Sequence, residues 1–269
     1  MTRNILFAFI ACAILAACGP QSENQEQPET TENTVTEVNP AADGFNAAES
    51  DDKAIAIADS VMAAMGGRKN YDAIRYISWN FFGARDLIWD KHTSRVRIDF
   101  PSKQTTYLVN VASGEGKVKV GDKEISNPDT LKNYLAEAKS IWINDSYWLV
   151  MPFKLKDSGV TLKYSREDSL SNGDLADVLT MTFENVGDTP NNKYEVYVDK
   201  ADHLVKQWAY FQQASQDSAS AVWPFDNYQT HEGVKFSYDR SDDKGPHKVV
   251  VYDSLPDEVF TSFEAPKID

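Results

Sequence analysis

Val178-Leu179-Thr180-Met181-Thr182-Phe183 and Tyr194-Glu195-Val196-Tyr197-Val198-Asp199 alternate apolar with polar side chains. A period of two sends every second residue to the same side of an extended chain, so each stretch reads as a strand of a sheet with one face buried. Asp199-Lys200-Ala201-Asp202-His203 has the composition of a turn, which makes the strand before it and the apolar run 204–211 the two arms of a hairpin.

Outward from that hairpin the same signals repeat. Strands are expected over 160–164, 177–184, 223–230, 234–238 and 248–252 in the C-terminal half, and over 76–82, 86–90, 95–99, 105–111 and 117–120 in the N-terminal half. Phe82-Gly83, Phe100-Pro101, Gly114-Glu115-Gly116 and Gly121-Asp122 separate the earlier ones. Two helices interrupt the pattern. Residues 53–65 place Ile57, Val61 and Met65 on one face, with Asp51 or Asp52 as N-cap and Gly66-Gly67 as the stop; residues 71–74 then turn into the first strand. Asn127-Pro128 opens the other helix, which sets Leu131, Leu135 and Ala138 a turn apart and runs toward Ile143. Residues 141–153, with Trp142, Tyr147, Trp148, Leu149, Val150 and Met151, are too apolar for an exposed loop.

About twelve short strands with one helix before them and one among them predict an α+β fold that is mainly β. The expected architecture is a large curved antiparallel sheet, an incomplete β-barrel, with helices packed in its concave side. The order of elements resembles the LolA/LolB-like family of periplasmic lipoprotein carriers and lipid-binding lipoproteins. Trp89-Asp90-Lys91 through Arg95-Val96-Arg97-Ile98, Tyr194-Glu195-Val196-Tyr197-Val198-Asp199 with Leu204-Val205-Lys206, and the run 233–260 carry the likeness, which spans most of 53–265. The resemblance implies an apolar cavity that binds a lipid or another apolar molecule without covalent chemistry. It transfers no residue set as a binding site.

The N-terminus supplies a second resemblance. Arg3 precedes the apolar run 5–17, which is shorter than the roughly 20 residues of a membrane span and suits a signal-peptide core. Leu15-Ala16-Ala17-Cys18 resembles the lipobox of bacterial lipoproteins and implies diacylglycerol attachment at Cys18 after removal of 1–17. By the bacterial sorting rule, Gly19 after the cysteine implies the outer membrane, with the domain facing the periplasm. Residues 18–52 combine Gln, Glu, Thr, Asn, Pro and Ala with no basic residue and read as a solvated acidic tether, followed by one domain over 53–269. Cys12 falls in the removed segment and Cys18 carries the lipid, so the mature domain has no free thiol.

The chain has 27 basic and 41 acidic residues, a net charge of -14, which excludes a nucleic-acid partner and leaves membrane attachment to the acyl anchor. Among the aromatic residues, Trp79, Phe81, Trp89, Trp148 and Trp208 are expected to contact an apolar ligand, although each also suits the core of a curved sheet. Arg95 and Arg97 share a strand face and are candidates for a headgroup at the cavity mouth, or for a ladder with Asp86, Asp90 or Asp99. His92, His203, His231 and His247 form no metal or nucleophile motif, and no cofactor is expected. Two alternatives to ligand binding follow: an envelope lipoprotein acting through protein partners, and a hydrolase built around Asp90 and His92, which lie two apart on one strand.

Overall fold

The computed structural model describes residues 39–184, 186–240 and 244–268; Cys18 and the signal segment lie outside them. The chain begins with helices α1 (Asp52–Ala64) and α2 (Arg68–Ala73). A meander follows, made of β1 (Tyr76–Phe81), β2 (Arg85–Asp90), β3 (Arg95–Phe100), β4 (Thr105–Asn110), β5 (Gly116–Val120) and β6 (Lys123–Glu124). The long helix α3 (Pro128–Val150) leads to a second meander of β7 (Val160–Ser169), β8 (Leu175–Phe183), β9 (Lys193–Asp199), β10 (Val205–Phe211) and β11 (Ala221–Pro224). Then come β12 (Asp226–His231), β13 (Val234–Asp239), β14 (Pro246–Tyr252) and the single turn α4 (Glu258–Thr261).

All the pairings are antiparallel. The first sheet has the order β14-β1-β2-β3-β4-β5-β6, the second β11-β10-β9-β8-β7, and β12 pairs with β13 alone. The curved sheets do not close into a barrel, as expected of an open α+β fold. Register sorts the side chains of the first sheet: Leu87, Ile98, Tyr107 and Val118 stand opposite one another across β2 to β5, and all four are fully buried. They join one core with Leu135 and Ala138 of α3 and with Ala58, Val61 and Met62 of α1. The alternate positions face the other way, where Tyr76 and Ile88 pack against Val259 and Phe260 of α4. The second sheet gives Val160, Leu162, Leu179, Met181, Val196 and Trp208 to the common core, while Ala176, Val178, Tyr197 and Phe211 form a small cluster on its opposite face.

Five readings change. The stretch 223–230 is two strands in different sheets: the chain stays on β10 to Pro224, then turns inward at the fully buried Phe225. The second helix runs on to Val150, and residues 71–74 belong mainly to α2. Asp51 occupies the N-cap of α1, but its carboxylate accepts instead from the Tyr164 N–H at 2.9 Å. Finally, residues 39–52, expected as tether, pack on the domain. The Asn39 amide donates to Asp59 at 2.9 Å and accepts from Arg68 at 3.2 Å, and the Ala42 N–H reaches the Lys156 carbonyl at 2.9 Å. The acidity of this stretch sits on exposed side chains such as Asp43 and Glu49, so its composition hid a backbone that is hydrogen-bonded to the β7 side.

Candidate functional site

Helix α3 builds the site, and its placement is strongly specified. Its N-terminus is capped by the Asn127 side chain, which accepts from the Thr130 N–H at 3.0 Å, with Pro128 in the first turn. Leu135 seats against Gly116 of β5, where an added Cβ would lie 2.2 Å from the Leu108 carbonyl oxygen and 3.0 Å from Leu135. In its C-terminal part, Asp145 is fully buried and meets Arg85 of β2 in a two-pronged pair, Nε and one terminal nitrogen each 2.8 Å from a carboxylate oxygen. Burial pushes the Asp145 carboxyl up and Arg85 opposes that shift. The Arg85 guanidinium also lies 5.2 Å from the Phe81 ring and 5.1 Å from the Phe100 ring. At the other end, buried Arg240 donates to the Trp148 carbonyl, a cation at the helix C-terminus where the backbone dipole favours one.

Between the C-terminal half of α3 and the second sheet lies a cavity of about 530 Å³. Trp142, Ile143, Tyr147, Trp148 and Val150 form the helix side; Val160, Phe183 and Tyr194 form the sheet side; Trp89 reaches in from β2. Residues 186–189 make one rim, latched by Ser140, whose hydroxyl bonds the Asp188 carboxylate. Gly159 lets this rim come close, because an added Cβ there would stand 2.8 Å from Val186. Lys154, Asp157 and Ser158 form another edge, and Lys154 pairs with Asp157.

The six aromatic residues of the lining pack on one another and, for Tyr147, Trp148 and Tyr194, on rings behind them. Trp89 meets Trp142 edge-on at 5.3 Å, and Tyr194 stacks on Trp208 at 4.9 Å with 1° between planes. Trp148 contacts Trp208 at 4.9 Å, Phe82 at 5.2 Å and Trp223 at 5.5 Å, all edge-on. Tyr147 points its hydroxyl at the Met181 sulfur, 3.7 Å away, and burial raises its ionisation well above the usual phenol range. Tyr147, Trp148, Phe183 and Tyr194 each meet two or more rings, which holds that side of the frame in place.

Of the five aromatics expected to touch a ligand, Trp89 and Trp148 line the cavity. Trp208 and Phe81 stand one layer behind, against Trp148, and Trp79 is 2 % exposed within the core. None of these three is among the lining residues. Sequence reading placed Trp142 and Tyr147 in a run that must be buried or line something without naming them as ligand contacts, and it missed Phe183 and Tyr194 as lining. The one available signal was helical spacing, because Ile143, Tyr147 and Val150 recur at three and four residues along the run that was too apolar for a loop.

Arg95 and Arg97 lie on the face of β3 turned away from α3, which removes both from the cavity. Arg95 pairs with Asp90 and with Asp257, and Arg97 is buried against Asp99 and the carbonyls of Val259 and Ser262. Asp90, fully buried, also takes two hydrogen bonds from Arg75. Burial raises the Asp90 carboxyl, but the bonds from Arg75, Thr93 and Arg95 outweigh it and hold the group at about 2. His92 turns its ring to the Asp72 carbonyl at 3.0 Å and meets Asp90 through its backbone N–H alone. The two side chains therefore form no acid–base pair, and among the described residues no cluster of His, Cys, Asp or Glu is arranged to hold a metal.

No protein-family model and no curated protein matches the chain. Solved structures to which it is similar include a DUF1329 family protein from Desulfovibrio piger, at 13 % identity and a TM-score of 0.41 over 78 % of this chain and 98 % of that one. A proposed outer membrane lipoprotein-sorting protein domain from Vibrio parahaemolyticus gives 9 % identity and 0.39 over 77 % and 96 %. A LolA superfamily protein from Nitrosomonas europaea gives 10 % and 0.31 over 76 % and 96 %. These likenesses are distant, and the reading of the cavity rests on its own residues.

Proposed function

We propose that the protein is a lipid-anchored lipoprotein of the bacterial envelope, attached through Cys18, which binds a lipid or another apolar molecule between α3 and the second sheet. The observation that carries this reading is the cavity itself: about 530 Å³, inside the range of ligand sites, walled by six aromatic rings and opening past the exposed Ser140, Asn144 and Asp188. Its role is read as binding rather than catalysis, because the lining holds no histidine or cysteine and its Ser140–Asp188 contact is exposed at the rim. The reading assigns membrane attachment to the anchor at Cys18, with Gly19 favouring the outer membrane and the domain facing the periplasm; among the described residues no helix is long and apolar enough to cross a membrane.

The test uses the unacylated mature chain, 18–269, purified and sprayed intact for mass spectrometry. The protein is expected to carry a bound apolar molecule that Val186→Trp, which fills the cavity from its rim, removes without loss of the folded circular dichroism spectrum. A ligand-free protein that also fails to bind added acyl chains would contradict the reading.

A further inference from the structure

The polar groups at the cavity edge restrict the kind of amphiphile that fits. Three charged side chains line it: Lys154, Asp157 and Asp188. Lys154 and Asp157 pair with each other, so their charges largely cancel toward a ligand. Asp188 is bonded only to the neutral Ser140 hydroxyl among the contacts of its side chain that are described, and it brings a carboxylate to the mouth. Glu184, exposed at the start of the same rim, adds to that sign. No arginine lines the cavity, and the two expected at an anionic head, Arg95 and Arg97, are on the opposite face of the first sheet and paired there.

The aromatic lining points the same way. Trp89, Trp142, Tyr147, Trp148, Phe183 and Tyr194 line one space, and aromatic ring faces attract cations. Aromatic walls beside a carboxylate are a combination that recognises ammonium groups, while a carboxylate or sulfate head would meet repulsion from Asp188, with the one lysine of the lining already paired to Asp157. Resting on the ligand-binding reading above, we propose that the cavity takes an amphiphile whose head carries an ammonium group, and that Asp188 sets this preference.

Three probes of equal chain length separate the possibilities: octyltrimethylammonium, octyl glucoside and octyl sulfate, each titrated calorimetrically below its micelle concentration into the unacylated mature chain, with circular dichroism to confirm the fold. The ammonium probe should bind about tenfold more tightly than the sulfate, with the glucoside between them. Asp188→Asn should remove most of that difference, whereas Asp122→Asn, a control in the exposed β5–β6 turn, should leave it intact. Sulfate binding as tight as ammonium binding, or equal effects of the two asparagine variants, would overturn the proposal and leave ligand binding standing. Failure of all three probes to bind would overturn the cavity reading and the proposal together.

Discussion

Asp145 has no exposed surface, and the Arg85 guanidinium against it is the reason it can remain there. A buried pair of this kind contributes little relative to a well-packed apolar pair, but removing one partner strands the other charge. Asp145→Ala should therefore lower unfolding free energy by about 3–5 kcal/mol in urea titrations, and Arg85→Leu combined with Asp145→Leu should recover much of that loss. Asp90 gives a pH signature. Its carboxyl is held at about 2 in the folded protein against an ordinary 3.8, so its contribution is fully present above about pH 4 and is lost as pH falls toward 2. The depression is worth about 2 kcal/mol. Asp145 titrates in the opposite sense because burial raises it, so the Asp90 share is read as the difference between the protein and Asp90→Asn across that window.

Helix α3 is the element on which the rest depends, because it fills the open side of the first sheet and forms one wall of the cavity. Loss of its cap in Asn127→Ala should cost about 1 kcal/mol of stability with little effect on the distant cavity. The stop of α1 is less forgiving: Gly66 has a φ of +106° and an added Cβ would lie 2.0 Å from the Gly233 carbonyl oxygen, so Gly66→Ala should destabilise by more than 1 kcal/mol in the same titration. The meander of β1 to β5 was legible because turn residues and alternation agree there, and period two already separates Leu87 and Ile98 from Arg95 and Arg97. What alternation lacks is a sign: it says that two faces exist, not which one receives the helix. The same gap explains Trp79 and Trp208, whose strands were read correctly but whose depth beneath α3 depends on tertiary packing. Residues 223–230 were misread for a related reason, since Trp223 and Tyr228 look like one strand until Phe225 is drawn inside.

At the scale of the molecule, two antiparallel sheets and a long helix enclose a common core that stops short of filling the space at the C-terminal half of α3. The rings behind the lining keep that space open: Tyr194 is braced by Trp208, and Trp148 by Phe81, Trp208 and Trp223. Trp208→Ala should both cost about 3–5 kcal/mol and loosen the cavity, so it serves poorly as a binding test. The lining tryptophans serve better, because they report contact directly. The most direct measurement is quenching of tryptophan emission by a neutral octadecyl chain brominated at mid-length, titrated into the unacylated mature chain and into variants that each replace one tryptophan by phenylalanine. Bromine quenches on contact, so an occupied cavity predicts saturable quenching that shrinks in Trp89→Phe, Trp142→Phe and Trp148→Phe and persists in Trp79→Phe. Quenching that fails to saturate, or that is unaltered by removing any of the three lining tryptophans, would contradict a ligand in this cavity.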